Sequence, residues 1–220
     1  MFGFLNKKPA PIKSVNEDAF RKGFETHLPD QSSVDYVMAL WREHPFSFTV
    51  AGSRKTCLGN YMYKNGRHYI SVNGDSNPYS FLITLIHEIA HQRVKVNQGL
   101  FKKHPAPHGD EWKYQFKILM APLLKGSSFP NDILNVLIPH MQNPAASSTK
   151  DPALVRALSV YSPQKIEKGV FLSEVSDGIV FNFNGRNFKR IQNRRTRILV
   201  ECVSSKKRYT IPGVARVEIL

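Results

Sequence analysis

The chain has 220 residues, 41% of them hydrophobic and 22% charged, which suits one full domain plus a small module in an ordinary globular protein. No apolar run approaches the ~20 residues of a membrane span. The start MFGFLNKKPAPIKS lacks the apolar stretch of a secretory signal, and two distant cysteines, Cys57 and Cys202, indicate neither a disulfide framework nor a cysteine-based zinc site. The expected location is cytoplasmic, nucleoid-associated if the source is bacterial, and the formal net charge of +14 points to an anionic partner, nucleic acid first.

Residues 16–28 and 33–44 carry apolar side chains at three-to-four spacing (Phe20, Phe24; Val37, Leu40, Trp41), which predicts two helices. FSFTVAGS, LGNYMYK and RHYISVN read as short strands, the last two joined by the hairpin signal Asn65-Gly66. Asn77 caps and Pro78 opens a helix that runs to about Asn97. After the loop GLFKKHPAPHG, helices are expected from about Asp110 to Leu124 and from Asp132 to Met141. MQNPAASSTKDP begins a linker, 143–168, in which 152–161 can form one short helix. From Gly169 the pattern is β, with Asn184-Gly185 as a second hairpin signal and Pro212-Gly213 as a turn. The fold class is therefore α+β, with a first domain over 14–142 and a small all-β module over 169–220.

The stretch LITLIHEIAHQRVKV carries the chemistry. His87 and His91 stand at i and i+4, on one face of a helix, the spacing at which two imidazoles reach one zinc ion. Glu88 lies beside them, where it can take a proton from a metal-activated water. The rest of the helix is apolar, as a core helix should be. The plain alternative is a core helix with His and Glu on its surface side. A catalytic zinc needs a third protein ligand. His108, in HPAPHGDEW, stands just before a helix whose return would bring its start near the first; His104 and Glu111 are rival ligands. His27, His44, His68 and His140 lack such a setting.

SRKTCLGNYMY, then HEIAH, then HGDEW, in this order, resemble the SprT-like zinc metalloprotease domain, the group containing the Spartan protease, over residues 16–142. The resemblance implies a zincin-like domain with one zinc per chain on His87, His91 and His108, and Glu88 as general base. It implies protein substrates associated with or crosslinked to DNA, and it places Arg54 to Gly59 on the strand bordering the substrate cleft. Many members of that group continue into a cysteine-rich zinc ribbon. Here Cys202 stands alone, so the C-terminal module is something else. An oxyanion donor is also needed; Tyr61, Tyr63 and Arg54 are candidates, though each has an ordinary structural use.

The charge is uneven. Residues 1–150 hold 18 basic and 11 acidic residues, whereas 151–220 hold 13 and 6 in half the length. Arg186, Lys189, Arg190, Arg194, Arg195, Arg197, Lys206, Lys207 and Arg208 surround two hairpins, with Phe181, Phe183, Phe188 and Tyr209 interleaved. Cations so concentrated repel one another without a partner, so the arginines and lysines are expected to meet phosphates, DNA first, while the aromatics are expected to build the small core. No membrane partner is expected. Three functions compete: a DNA-associated zinc peptidase, a nucleic-acid-binding regulator with a structural or vestigial zinc site, and a zinc hydrolase of non-protein amides. An intact Glu88 favours a catalytic site over a structural one.

Overall fold

A computed structural model of the chain describes residues 17–54, 57–98, 105–147, 151–162 and 169–220. The chain divides into two compact units, Met1–Asn143 and Pro144–Leu220. Six α-helices and two sheets make the fold α+β among the described residues. No helix there is long and apolar enough to cross a membrane.

The first unit opens with α1 (Glu17–Glu25) and α2 (Gln31–Glu43). α1 stops short of the expected residue 28, where the Thr26 hydroxyl turns back to donate to the Gly23 carbonyl. Asp30 caps α2 through the Ser33 amide at 2.7 Å, and Ser33 bonds back in a reciprocal capping box. Strands β1 (Ser47–Ala51), β2 (Gly59–Lys64) and β3 (Arg67–Asn73) form a sheet in the order β1-β3-β2, with β1 parallel and β2 antiparallel to β3. The β2–β3 turn takes positive φ at both Asn65 and Gly66, which the Asn-Gly pair tolerates. α3 (Pro78–Val96) follows, capped by the Asn77 side chain on the Ser80 amide. Its Phe81, Leu82, Leu85, Ile86, Ile89 and Ala90 are all fully buried, because the helix packs on β2 and β3 and on α4 (Asp110–Lys125). α5 (Asn131–His140) completes the unit. Phe20, Phe24, Trp41, Phe46, Phe48 and Phe81 join α1, α2, β1 and α3 in one aromatic cluster.

The second unit holds α6 (Pro152–Ser159), capped by Asp151, and a six-stranded sheet. The helix expected within the 143–168 connector thus belongs to this unit, with Leu154 and Leu158 buried and Arg156 bonded to Ser173. The strands are β4 (Val170–Phe171), β5 (Val180–Phe183), β6 (Arg186–Arg194), β7 (Arg197–Cys202), β8 (Arg208–Pro212) and β9 (Arg216–Ile219), ordered β4-β9-β5-β6-β7-β8 with every pair antiparallel. One face carries the core: Leu172, Val175, Phe181, Phe188, Ile198, Val200, Cys202, Ile211 and Val217. The Gly213 amide donates to the Thr196 carbonyl and the Ser173 amide to the Gly213 carbonyl, tying the β8–β9 turn to the β6–β7 turn and to the segment after β4.

Candidate metal centre

α3 presents His87 and His91 one turn apart, and the loop entering α4 presents His108. Their Nε2 atoms form a near-equilateral triangle: His87–His108 3.0 Å, His87–His91 3.2 Å, His91–His108 3.1 Å. Imidazole nitrogens held ~2.0–2.1 Å from a tetrahedral ion stand ~3.3 Å apart, so this triangle is close to the size a metal needs. These three are the group that could hold a metal ion among the described residues. Glu111 is exposed in the first turn of α4 and is not part of the group, and His104 lies outside the described residues.

Three imidazole nitrogens gathered within 3.2 Å of one another can hold a cation between them. Burial pushes His87 down to about 3, helped by His91 and His108, and pushes His91 down to about 4, helped by His108. Both rings are therefore neutral at pH 7, the form that binds metal. Trp112 walls the site. Its indole lies 4.5 Å from the His87 ring, 4.8 Å from His108 and 5.6 Å from His91, and its Nε1 donates to the His87 carbonyl at 3.3 Å. Phe116 stacks behind it at 5.0 Å. His108 reaches the triangle from a left-handed backbone, φ +62°, uncommon for residues other than glycine, though histidine is among the side chains that adopt it more readily.

Glu88 is 6% exposed and sits under β2. Burial pushes its carboxyl up to about 8, against the opposing pull of Arg54 and a hydrogen bond from the Tyr61 amide. A metal ion alongside adds positive charge and favours the carboxylate. β2 comes this close to α3 because residue 59 is glycine: a Cβ there would stand 2.5 Å from Glu88 Oε1 and 2.6 Å from Thr84 Cγ2. The Leu58–Asn73 backbone bond sets the register of the hairpin. Asn60, Met62 and Lys64 therefore bond to β3, and the N–H and C=O groups of Gly59, Tyr61 and Tyr63 face the open side. No described strand pairs with that edge.

The oxyanion candidates have other duties. Arg54 staples the β3 end, donating to Asn73 Oδ1 at 2.7 Å and Ser71 Oγ at 3.2 Å. Tyr61 lies parallel to the His91 ring, and its hydroxyl pairs with His68 Nδ1 at 2.9 Å. Tyr63 is exposed beneath the Lys95 ammonium. Sequence reasoning missed Gly59, the Tyr61 amide and the walling role of Trp112. A glycine inside a strand pattern was the available signal for the first; the other two depend on tertiary placement.

In the second unit the basic residues separate. Arg190 is the correction: it alternates inward with Phe188, is 7% exposed and is bonded to Asp177 and Asn193, so it is withdrawn from any phosphate surface. Lys189, Glu201 and Arg208 stand opposite one another across β6, β7 and β8, so one acid occupies the position between two cations. Arg194, Arg195 and Arg197 gather at the β6–β7 turn, where Arg197 donates to Thr210. Arg186, Lys206 and Lys207 gather at the opposite end, roughly 27 Å away along the nine residues of β6. Compared with protein-family models, with curated proteins and with solved structures, the chain matches none.

Proposed function

We propose that the first unit is a zinc metallopeptidase and that the second brings it to nucleic acid, so that its substrates are proteins associated with or crosslinked to DNA. The observation that carries the catalytic half is the meeting of three histidine nitrogens beside the buried Glu88. An all-imidazole set of this size favours zinc, one ion per chain, over oxygen-seeking cations. The resemblance of SRKTCLGNYMY, HEIAH and HGDEW to SprT-like proteases supports the same reading, and with it a zincin-like arrangement of sheet over active-site helix. The DNA half rests on the charge of the second unit.

Zinc, when bound, supplies a Lewis acid for the scissile carbonyl and makes a water acidic enough to attack at neutral pH. Glu88 accepts the proton of the attacking water and returns it to the leaving amine. The Tyr61 amide holds the Glu88 carboxylate in place, and Trp112 excludes water from behind the histidines. The N–H and C=O groups of Gly59 and Tyr63 and the carbonyl of Tyr61, which lie on the unpaired side of β2, suit an extended peptide laid along β2 as an added strand.

The test combines metal analysis with cleavage of a DNA-bound protein. Wild type is expected to hold one zinc and to cut faster with DNA present. His108→Ala loses the metal and His104→Ala keeps it; the reverse assigns the third ligand to His104. Glu88→Gln keeps zinc and fold but no longer cuts, because an amide cannot take the proton. Cleavage by Glu88→Gln at the wild-type rate removes the general-base role. A zinc-bound wild type that cuts nothing, with or without DNA, points instead to a regulatory nucleic-acid binder with a structural zinc site.

A further inference from the structure

Of the four aromatic residues in the basic stretch of the second unit, Phe181 and Phe188 are buried and Phe183 packs against the core from the side. Tyr209 differs. It is 38% exposed and stands on β8, one of the two edge strands of the sheet. Its ring meets Phe188 edge-on at 5.8 Å. The exposed Arg186 guanidinium lies 5.2 Å from the centroids of both rings, 3.4 Å from the Tyr209 hydroxyl and 3.3 Å from Cys202 Sγ. The open end of the apolar core is thus covered by a planar cation braced on two aromatic rings. The β7–β8 turn adds Lys206 and Lys207 at the same end, and Arg208 follows, its cross-strand neighbour being Glu201.

Phosphate neutralisation alone needs cations and no ring, which describes the other end of the sheet, with Arg194, Arg195 and Arg197. A duplex hides its base faces in its own stack. A single strand exposes them, and both aromatic rings and arginine planes stack on unpaired bases. A half-exposed ring and guanidinium plane among lysines match the second case. We propose that the Arg186–Tyr209 corner is a stacking site for unpaired bases of single-stranded nucleic acid, with Lys206 and Lys207 meeting the flanking phosphates. This rests on the reading of the second unit as a nucleic-acid binder.

The test measures anisotropy of labelled oligothymidine, oligouridine and a DNA duplex, each of about fifteen nucleotides so that the strand spans one such site, with the full-length protein over a range of salt. Tyr209→Ala is expected to weaken single-strand binding about tenfold or more, because one base stack is lost. Its salt slope stays at the wild-type value, because no ionic contact is removed, and duplex affinity does not change. Tyr209→Phe keeps the ring and the affinity. Tyr209→Leu fills the space without a π face and behaves like Tyr209→Ala, which covers the case in which the alanine variant does not fold. The thymidine and uridine arms tell which sugar is preferred. Folded Tyr209 variants that bind single strands as wild type does, or that lose single-strand and duplex binding equally, overturn the stacking site. A wild type that binds none of the three overturns the nucleic-acid reading itself.

Discussion

At the scale of single residues, the metal-free centre holds groups whose titration opposes folding in both directions, the histidines by gaining a proton and Glu88 by losing one. His87 and His91 stay neutral down to about 3 and 4 when folded, whereas an unfolded histidine titrates near 6.5. Between those limits the unfolded chain binds more protons, so the metal-free protein loses stability as pH falls below about 6.5, by at most about 1.4 kcal/mol per pH unit for each ring. Glu88 acts in the other direction. Its folded carboxyl stays protonated up to about 8, while an unfolded one ionises near 4.3, so stability falls as pH rises across that window. Glu88→Gln removes the second loss. In chelator, the variant is expected to be more stable than wild type at pH 8, by on the order of a few kcal/mol, with the difference vanishing near pH 4. Urea titrations at the two pH values read this directly, and an equal difference at both assigns the effect to packing instead. The His87–His91 spacing was legible in the sequence because helical periodicity alone puts i and i+4 on one face. His108 was legible only as one of three alternatives, because a contact between residues 17 apart in sequence, across the α3–α4 loop, depends on how α4 returns.

At the scale of elements, the decisive contact is the approach of β2 to α3. Gly59→Ala would press a methyl group into Thr84 Cγ2 and Glu88 Cγ as well as Oε1, all within 2.9 Å of the new Cβ. The strand must move, and the expected outcome is a loss of about 1–3 kcal/mol with a fall in cleavage far larger than any fall in bound metal. Thermal melts, metal analysis and peptide cleavage on one preparation separate these effects. Unchanged cleavage would show that β2 can shift without disturbing Glu88. The element boundaries lay close to the sequence pattern wherever chemistry is local: Asn77-Pro78 starts α3, and Asn65-Gly66 and Asn184-Gly185 turn the two hairpins. Pairing partners were not legible. Nothing in the alternation of FSFTVAGS says that β1 lies parallel to β3 and leaves β2 at the edge, because that choice is made by what α3 covers. The inward turn of Arg190 was hidden for a related reason: in a run of cations, only register against Phe188 reveals which one is buried.

At the scale of the whole molecule, the three candidate metal ligands and the densest basic stretch lie in different compact units. Replacing Arg194, Arg195 and Arg197 by alanine is expected to flatten the log–log salt dependence of DNA binding by about two to three units, if each meets a phosphate. Zinc content and cleavage of a small free peptide should not change, whereas cleavage of a DNA-bound protein should fall. Identical slopes, or equal loss on both substrates, would separate the charge from substrate delivery. The packing of Trp112 also has an optical consequence. The chain has two tryptophans, and one of them touches all three ligand rings. With Trp41 replaced by phenylalanine, emission comes from a single indole within contact distance of the metal position. A paramagnetic ion such as cobalt(II) entering the centre would quench that light, while zinc would not, so occupancy and exchange could be followed in real time without touching substrate or DNA.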